Sequence, residues 1–227
     1  MIVDRGNSKD HLIANIAEYY PLLYHMAEAD TWDSIRKYGL LSTSALLDLF
    51  EITDANRYAI ESKRRSQSVT ISHTEYGSAV IRDQKPMHEK SLLKCLINMS
   101  PQQWYEILNR RVFFWPTIDR LNRLLRAYPG QKHTVITADT AQLLERHFDQ
   151  VTLSRINSGC TRPMAWPRGN DTFLSVPVFP FETRRQKYRR DAIAELAVDY
   201  AVSDIVDVVI RVEHVVGTSP VEIIYER

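Results

Sequence analysis

Apolar residues recur at three- and four-residue intervals along several stretches of the chain, the period of a helix with one buried face. Thr31 to Tyr38 follows Asp30, a residue suited to capping, and Gly39 ends it; Ala45 to Phe50 is a second short helix. His88 to Asn98 gathers Leu92, Leu93, Leu96 and Ile97 on one side. Pro101 to Asn109 begins after Ser100 with proline in the first helical position, and would bury Trp104 and Leu108. Thr117 to Ala127 carries Ile118, Leu121, Leu124 and Leu125, and Ala141 to His147 is a short helix. Other stretches are short and β-branched and read as strands: Arg111 to Trp115, His133 to Ala138, Gln150 to Ile156, Thr172 to Phe179, Ile205 to Val212 and Val221 to Glu226. Helices dominate the first half and strands the second, which predicts an α+β fold rather than alternating βαβ units. The segment from Asn157 to Asn170, NSGCTRPMAWPRGN, has no period. It reads as a long loop, and such loops carry function more often than not.

Composition changes this picture little. The chain has 227 residues, 44% hydrophobic and 25% charged, which suits one soluble domain over residues 1–227. No apolar run approaches the ~20 residues of a membrane span. The start of the chain lacks the apolar core of a secretory signal, so the expected compartment is cytoplasmic, with no membrane partner. Net charge is +1, but basic residues cluster at Lys63-Arg64-Arg65 and from Arg184 to Arg190, the latter read as a solvated turn. Cys95 and Cys160 make neither a metal set nor a disulfide framework, and Cys95 reads as a core residue. The motifs of P-loop and Rossmann nucleotide enzymes, zincins and α/β-hydrolases are absent.

Three blocks carry the remaining chemistry. LYHMAEADTWDSIRKYGLLS sets His25 on an apolar run ahead of a helix that ends at Gly39. RVFFWP is an aromatic strand that includes Phe114 and Trp115, and AELAVDYAVSDIVDVVI places Glu195 at the head of an apolar strand. In this order the blocks resemble those of the DarT-type DNA ADP-ribosyltransferase toxins and the related DarT-like proteins. They span residues 22–212, most of the chain.

The resemblance implies a split β-sheet core that binds NAD in a cleft, with strands 22–26 and 111–115 side by side. His25 would hydrogen-bond the nicotinamide ribose, and the Met26 backbone would contact the nicotinamide amide. Gly39 and Phe114 would complete the cofactor site. Trp115 stands where the family has tyrosine, keeping the stacking surface and losing the hydroxyl. Glu195 would be the catalytic acid. The family also uses an arginine from the first half; Arg82, leaving the apolar Val80-Ile81, is favoured over Arg64 or Arg65. Arg168, Arg184 and Arg185 are candidates for contacting substrate. The implied substrate is nucleic acid, as single-stranded DNA or RNA, and a toxin would bring an antitoxin as partner.

These residue types suit the chemistry. Cleaving the nicotinamide–ribose bond leaves an oxocarbenium-like cation that a carboxylate stabilises, a guanidinium forks onto a diphosphate, and aromatics stack on a flat ring. The alternatives are a transferase of the same fold with an RNA, protein or small-molecule acceptor, including RNA 2′-phosphotransferase relatives, and a degenerate module that binds nucleotide without chemistry.

Overall fold

The computed structural model describes residues 8–227. Its elements run α1 (Lys9–Tyr19), β1 (Leu22–Glu28), α2 (Trp32–Tyr38), β2 (Leu40–Leu41), α3 (Thr43–Leu49), α4 (Asp54–Glu61), β3 (Val69–His73), β4 (Gly77–Ile81), α5 (Glu89–Cys95), α6 (Pro101–Asn109) and β5 (Arg111–Phe114). They continue α7 (Ile118–Leu125), β6 (Lys132–Asp139), α8 (Thr140–His147), β7 (Val151–Ser154), β8 (Phe173–Ser175), α9 (Phe181–Tyr188), β9 (Glu195–Asp199), β10 (Ala201–Val202), α10 (Ile205–Val208), β11 (Val209–Val216) and β12 (Ser219–Glu226). The class is α+β, as the pattern predicts.

Two antiparallel sheets of four strands form the frame, one ordered β1-β6-β11-β12 and the other β5-β9-β7-β8. One face of each contributes to a single core. Leu23, Ile136, Ala138 and Val212 from the first sheet join Val112, Phe114, Leu153 and Leu196 from the second. Helices α1 and α8 close this core through Ile13, Ile16, Leu143 and Leu144. On the other face of the first sheet, α7 packs Leu121 and Leu125 against Met26, Val135 and Val215. On the other face of the second, α6 packs Trp104 and Tyr105 near Ala197 and Phe173.

The strongest local signals decide their elements. Ser100 and Gln103 cap α6 reciprocally, so that helix begins at Pro101 as its sequence predicts. Gly39 ends α2 at φ +87°, a conformation that favours glycine.

Several expectations need correcting. The strand expected over Thr172 to Phe179 spans only Phe173–Ser175, and the helix expected over His88 to Asn98 ends at Cys95, leaving Leu93 and Ile97 exposed. Ile205 to Val212 is not one strand: its first four residues make the single helical turn α10, whose Ile205 and Val208 both enter the core before β11 starts at Val209. The basic run is solvated at Lys187, Arg189 and Arg190 but is not a turn. It lies largely in α9, where Arg185 packs over the rings of Tyr19 and Phe181 and Arg184 donates to the Ala192 carbonyl at 2.7 Å. Arginine has good helix propensity, and its stem covers apolar surface while its head stays polar. The cap of α2 is Thr31 rather than Asp30, which takes a positive φ of 60°. Helices α1 and α4 and the β3–β4 hairpin add to the predicted elements.

Candidate active site at the split between the sheets

The two sheets meet at β1 and β5, where the backbone pairing among the described residues is one residue pair. Tyr24 N–H donates to the Trp115 carbonyl at 2.9 Å, and Trp115 N–H to the Tyr24 carbonyl at 2.7 Å. An antiparallel ladder would next pair Met26 with Phe113. The strands splay instead, and the ring of His25 takes the step: its Nδ1 lies 2.8 Å from the Phe113 carbonyl oxygen. A carbonyl can only accept, so Nδ1 carries the proton and Nε2 presents a lone pair. Burial lowers the His25 pKa from 6.5 to about 4; the Phe113 bond opposes this and the charge of Arg82 adds to it. The ring is therefore neutral at pH 7. The amide and carbonyl of Met26 point to the same side of β1 as those of Tyr24, into the split. They have no backbone partner there among the described residues.

Glu195 begins β9, and register places it beside Trp115, one step beyond the Phe114–Leu196 pair. Strand alternation puts Tyr24, Met26, Trp115 and Glu195 on a common side. His25 leaves β1 on the other side, that of Leu23, and its ring lies at the split against the Phe113 carbonyl, with no contact to Glu195 among the described residues. Glu195 is 3% exposed, and both its oxygens lie 3.1 Å from the Ser158 N–H, with the Ser158 side chain also bonding the carboxyl. A carboxylate can accept about four hydrogen bonds, so Ser158 leaves part of its capacity free. Burial raises its pKa from 4.5 to about 7, against the lowering effect of the Ser158 bonds and of the charges on Arg120 and Arg168.

The three candidate arginines of the first half differ sharply. Arg65 is buried and spent on structure: it donates to the carbonyls of Arg82 and Ile60 and to Asn109 Oδ1. Arg64 donates to the Met87 carbonyl at 2.6 Å. Arg82 lies 4.3 Å from the centre of the Tyr128 ring, its Nη1 is buried with no partner among the described residues, and its charge reaches His25.

The remaining candidates divide. Met26 and Trp115 flank the split. Phe114 is fully buried in the core, 5.7 Å from the His25 ring, and supports that ring from behind. Gly39 lies against another part of the chain, where a Cβ would stand 2.7 Å from Ser203 Cα. Arg168, 1% exposed, ties the long loop together by donating to the carbonyls of Ser158, Cys160 and Trp166. It thereby fixes Ser158 over Glu195. Arg184 lines a cavity next to Glu195, whereas Arg185 pairs with Glu182 at 2.7 Å on another side of α9.

That cavity, about 890 Å³, opens past the end of β7 and the start of β9, between α7, α9 and the long loop. Arg120, Arg123, Arg155, Arg162, Arg168 and Arg184 line it, against two acids, Asp171 and Asp191. Arg120 pairs with Asp191 at 2.6 Å. Sequence reasoning did not single out Arg120, Arg123, Arg155, Arg162 or Ser158. The available signal was the arginine spacing in IDRLNRLL, opposite the leucine face of α7, and the arginines that bracket the aperiodic loop.

No curated protein and no solved structure matches this chain. One family model matches residues 21–209, a span that holds His25, Arg82, Glu195 and the arginine-lined cavity. The chain belongs to that family, the family of unknown function DUF7002.

Proposed function

We propose that this protein is an NAD-dependent mono-ADP-ribosyltransferase of split-sheet fold, with nucleic acid as acceptor. One observation carries the reading: the Met26 amide and carbonyl, without a backbone partner among the described residues on the side of the split, lie beside the neutral His25 ring where β1 parts from β5. A backbone donor and acceptor side by side complement a planar carboxamide such as that of nicotinamide. The free Nε2 of His25 can accept from a ribose hydroxyl, which is positioning rather than proton transfer. NAD supplies the glycosidic bond to be broken and the leaving nicotinamide. Glu195 has the acceptor capacity to hold a ribose hydroxyl, and its charge offsets the positive charge that develops at the sugar. Arg82, with an uncommitted N–H, supplies a guanidinium to a phosphate. The nucleic-acid acceptor rests on the resemblance and on the arginines beside Glu195, since phosphates attract such groups irrespective of sequence.

The degenerate module remains the second reading, favoured by the closure of Ser158 over Glu195. Incubating the protein with labelled NAD and separate pools of single-stranded DNA, RNA and protein tests both. Label should enter a nucleic-acid pool. Label in no pool, with NAD bound, would establish the module, and no binding of NAD at millimolar concentration would overturn both.

A further inference from the structure

The arginine-lined cavity has more positive charge than its own acids offset. Arg120 is held by Asp191, and Arg168 and Arg184 are committed to backbone carbonyls. Arg123, Arg155 and Arg162 are exposed and their guanidinium groups have no hydrogen bond or ion pair among the described residues. Arg155 also lies near enough to Arg184 for the two charges to oppose each other, behind desolvation as the first cause of the lowered Arg184 pKa. Like charges gathered in a concavity favour an anion, because the field there is focused by low-dielectric walls. The buried Nε of Arg120 likewise has no partner among the described residues.

The cavity also has an apolar edge. Trp166 lines it and is 54% exposed, a large apolar ring left in solvent beside guanidinium groups. Its backbone is fixed, since its carbonyl accepts from Arg168 Nε at 3.1 Å. Arginines with one aromatic platform match a ligand that has both phosphate and a flat ring. A volume of about 890 Å³ accommodates a nucleotide.

We propose that this cavity binds a nucleotide, with its phosphates on Arg123, Arg155 and Arg162 and its base stacked on Trp166. The ligand is either a free nucleotide or one nucleotide of a single strand, and the chemistry of recognition is the same. The site does not depend on the transferase reading, because it uses none of His25, Met26 or Glu195.

Binding of ADP, of inorganic pyrophosphate and of a short single-stranded oligothymidylate is measured by calorimetry at low salt, without NAD. ADP or the oligothymidylate should bind, and affinity should fall as salt rises. Replacing Arg123, Arg155 and Arg162 together by glutamine should weaken that binding at least ~10-fold. Trp166→Leu should weaken it roughly 10-fold and leave pyrophosphate unaffected, because base stacking alone is removed. All four positions are exposed, and circular dichroism confirms that the variants fold. ADP binding identifies a free nucleotide as the source; oligothymidylate binding without ADP binding identifies a strand. Failure of both ligands to bind at millimolar concentration, or wild-type affinity in the triple variant, overturns the proposal. No transfer is read, so a failed transferase assay leaves this result standing.

Discussion

The Nδ1 of His25 stands 2.8 Å from the Phe113 carbonyl oxygen, in the place where the next rung of a β1–β5 ladder would put the Met26 amide. One side chain thus ends the pairing between two sheets and leaves a backbone edge free. The substitution His25→Ala removes the ring without restoring the ladder geometry. It is expected to reduce or abolish the rise in Tm that saturating NAD produces in the wild type, a rise that follows from ligand binding to the folded state alone. Differential scanning fluorimetry with and without NAD reads this; an undiminished shift would detach His25 from the cofactor.

Stability should respond to pH through two opposed groups. His25 has a folded pKa of about 4, below its ordinary 6.5. The unfolded chain binds the proton more readily, so this contribution is full above pH 6.5 and is lost as pH falls through 4. Glu195 has a folded pKa of about 7, above its ordinary 4.5. Here the folded chain holds the proton more tightly, so the contribution is full below pH 4.5 and is lost as pH rises through 7. Each is worth up to about 3 kcal/mol at ~1.4 kcal/mol per tenfold change. Between these limits they offset one another in the wild type. Glu195→Gln keeps an acceptor for Ser158 and removes one slope, so its stability in urea should rise with pH between 4.5 and 6.5 more steeply than that of the wild type. Parallel profiles would disprove the burial argument for Glu195.

Catalysis gives Glu195→Gln a second readout. The substitution preserves size and hydrogen bonding and deletes the charge, an electrostatic contribution commonly worth ~3–4 kcal/mol. Transfer should slow at least ~100-fold with NAD affinity nearly unchanged. Single-turnover kinetics with labelled NAD decide it, and a wild-type rate would assign the chemistry elsewhere.

Arg65 and Arg82 should separate stability from function. Arg65→Met strands the Ile60 and Arg82 carbonyls and Asn109 Oδ1, and should cost about 3 kcal/mol or more in urea unfolding. Arg82→Met gives up its placement over Tyr128, about 1 kcal/mol, and no side-chain hydrogen bond among the described residues. Its loss should appear in NAD binding instead. The reverse ranking in unfolding would remove Arg82 from the site.

Gly39→Ala should destabilise by about 2 kcal/mol or more, because the residue holds φ +87° and its new Cβ meets Ser203 Cα at 2.7 Å. The affinity of the folded fraction for NAD should not change. A change in affinity without loss of stability would return Gly39 to the cofactor site.

Much was legible in sequence because the cause was local. Ser100, Pro101 and Gln103 set the start of α6 with groups three residues apart or fewer, and Gly39 ends α2 by its own backbone freedom. Glu195 at the head of an apolar strand and His25 on another were visible as polar groups in apolar runs. The helical turn at Ile205 was not, because Ile and Val suit a strand equally and the choice followed from burying Ile205 and Val208 in a core assembled from distant segments. Sequence favours Arg82 over Arg64 and Arg65 only through its place after Val80-Ile81. What separates the three in the fold is which carbonyls come within reach. The arginine cavity is the extreme case: its residues come from α7, α9 and the loop between β7 and β8, and only the closing of the second sheet sets their charges side by side. Hydrogen bonds within a turn are written in neighbouring residues, whereas a field summed over separate segments exists only once the chain has folded.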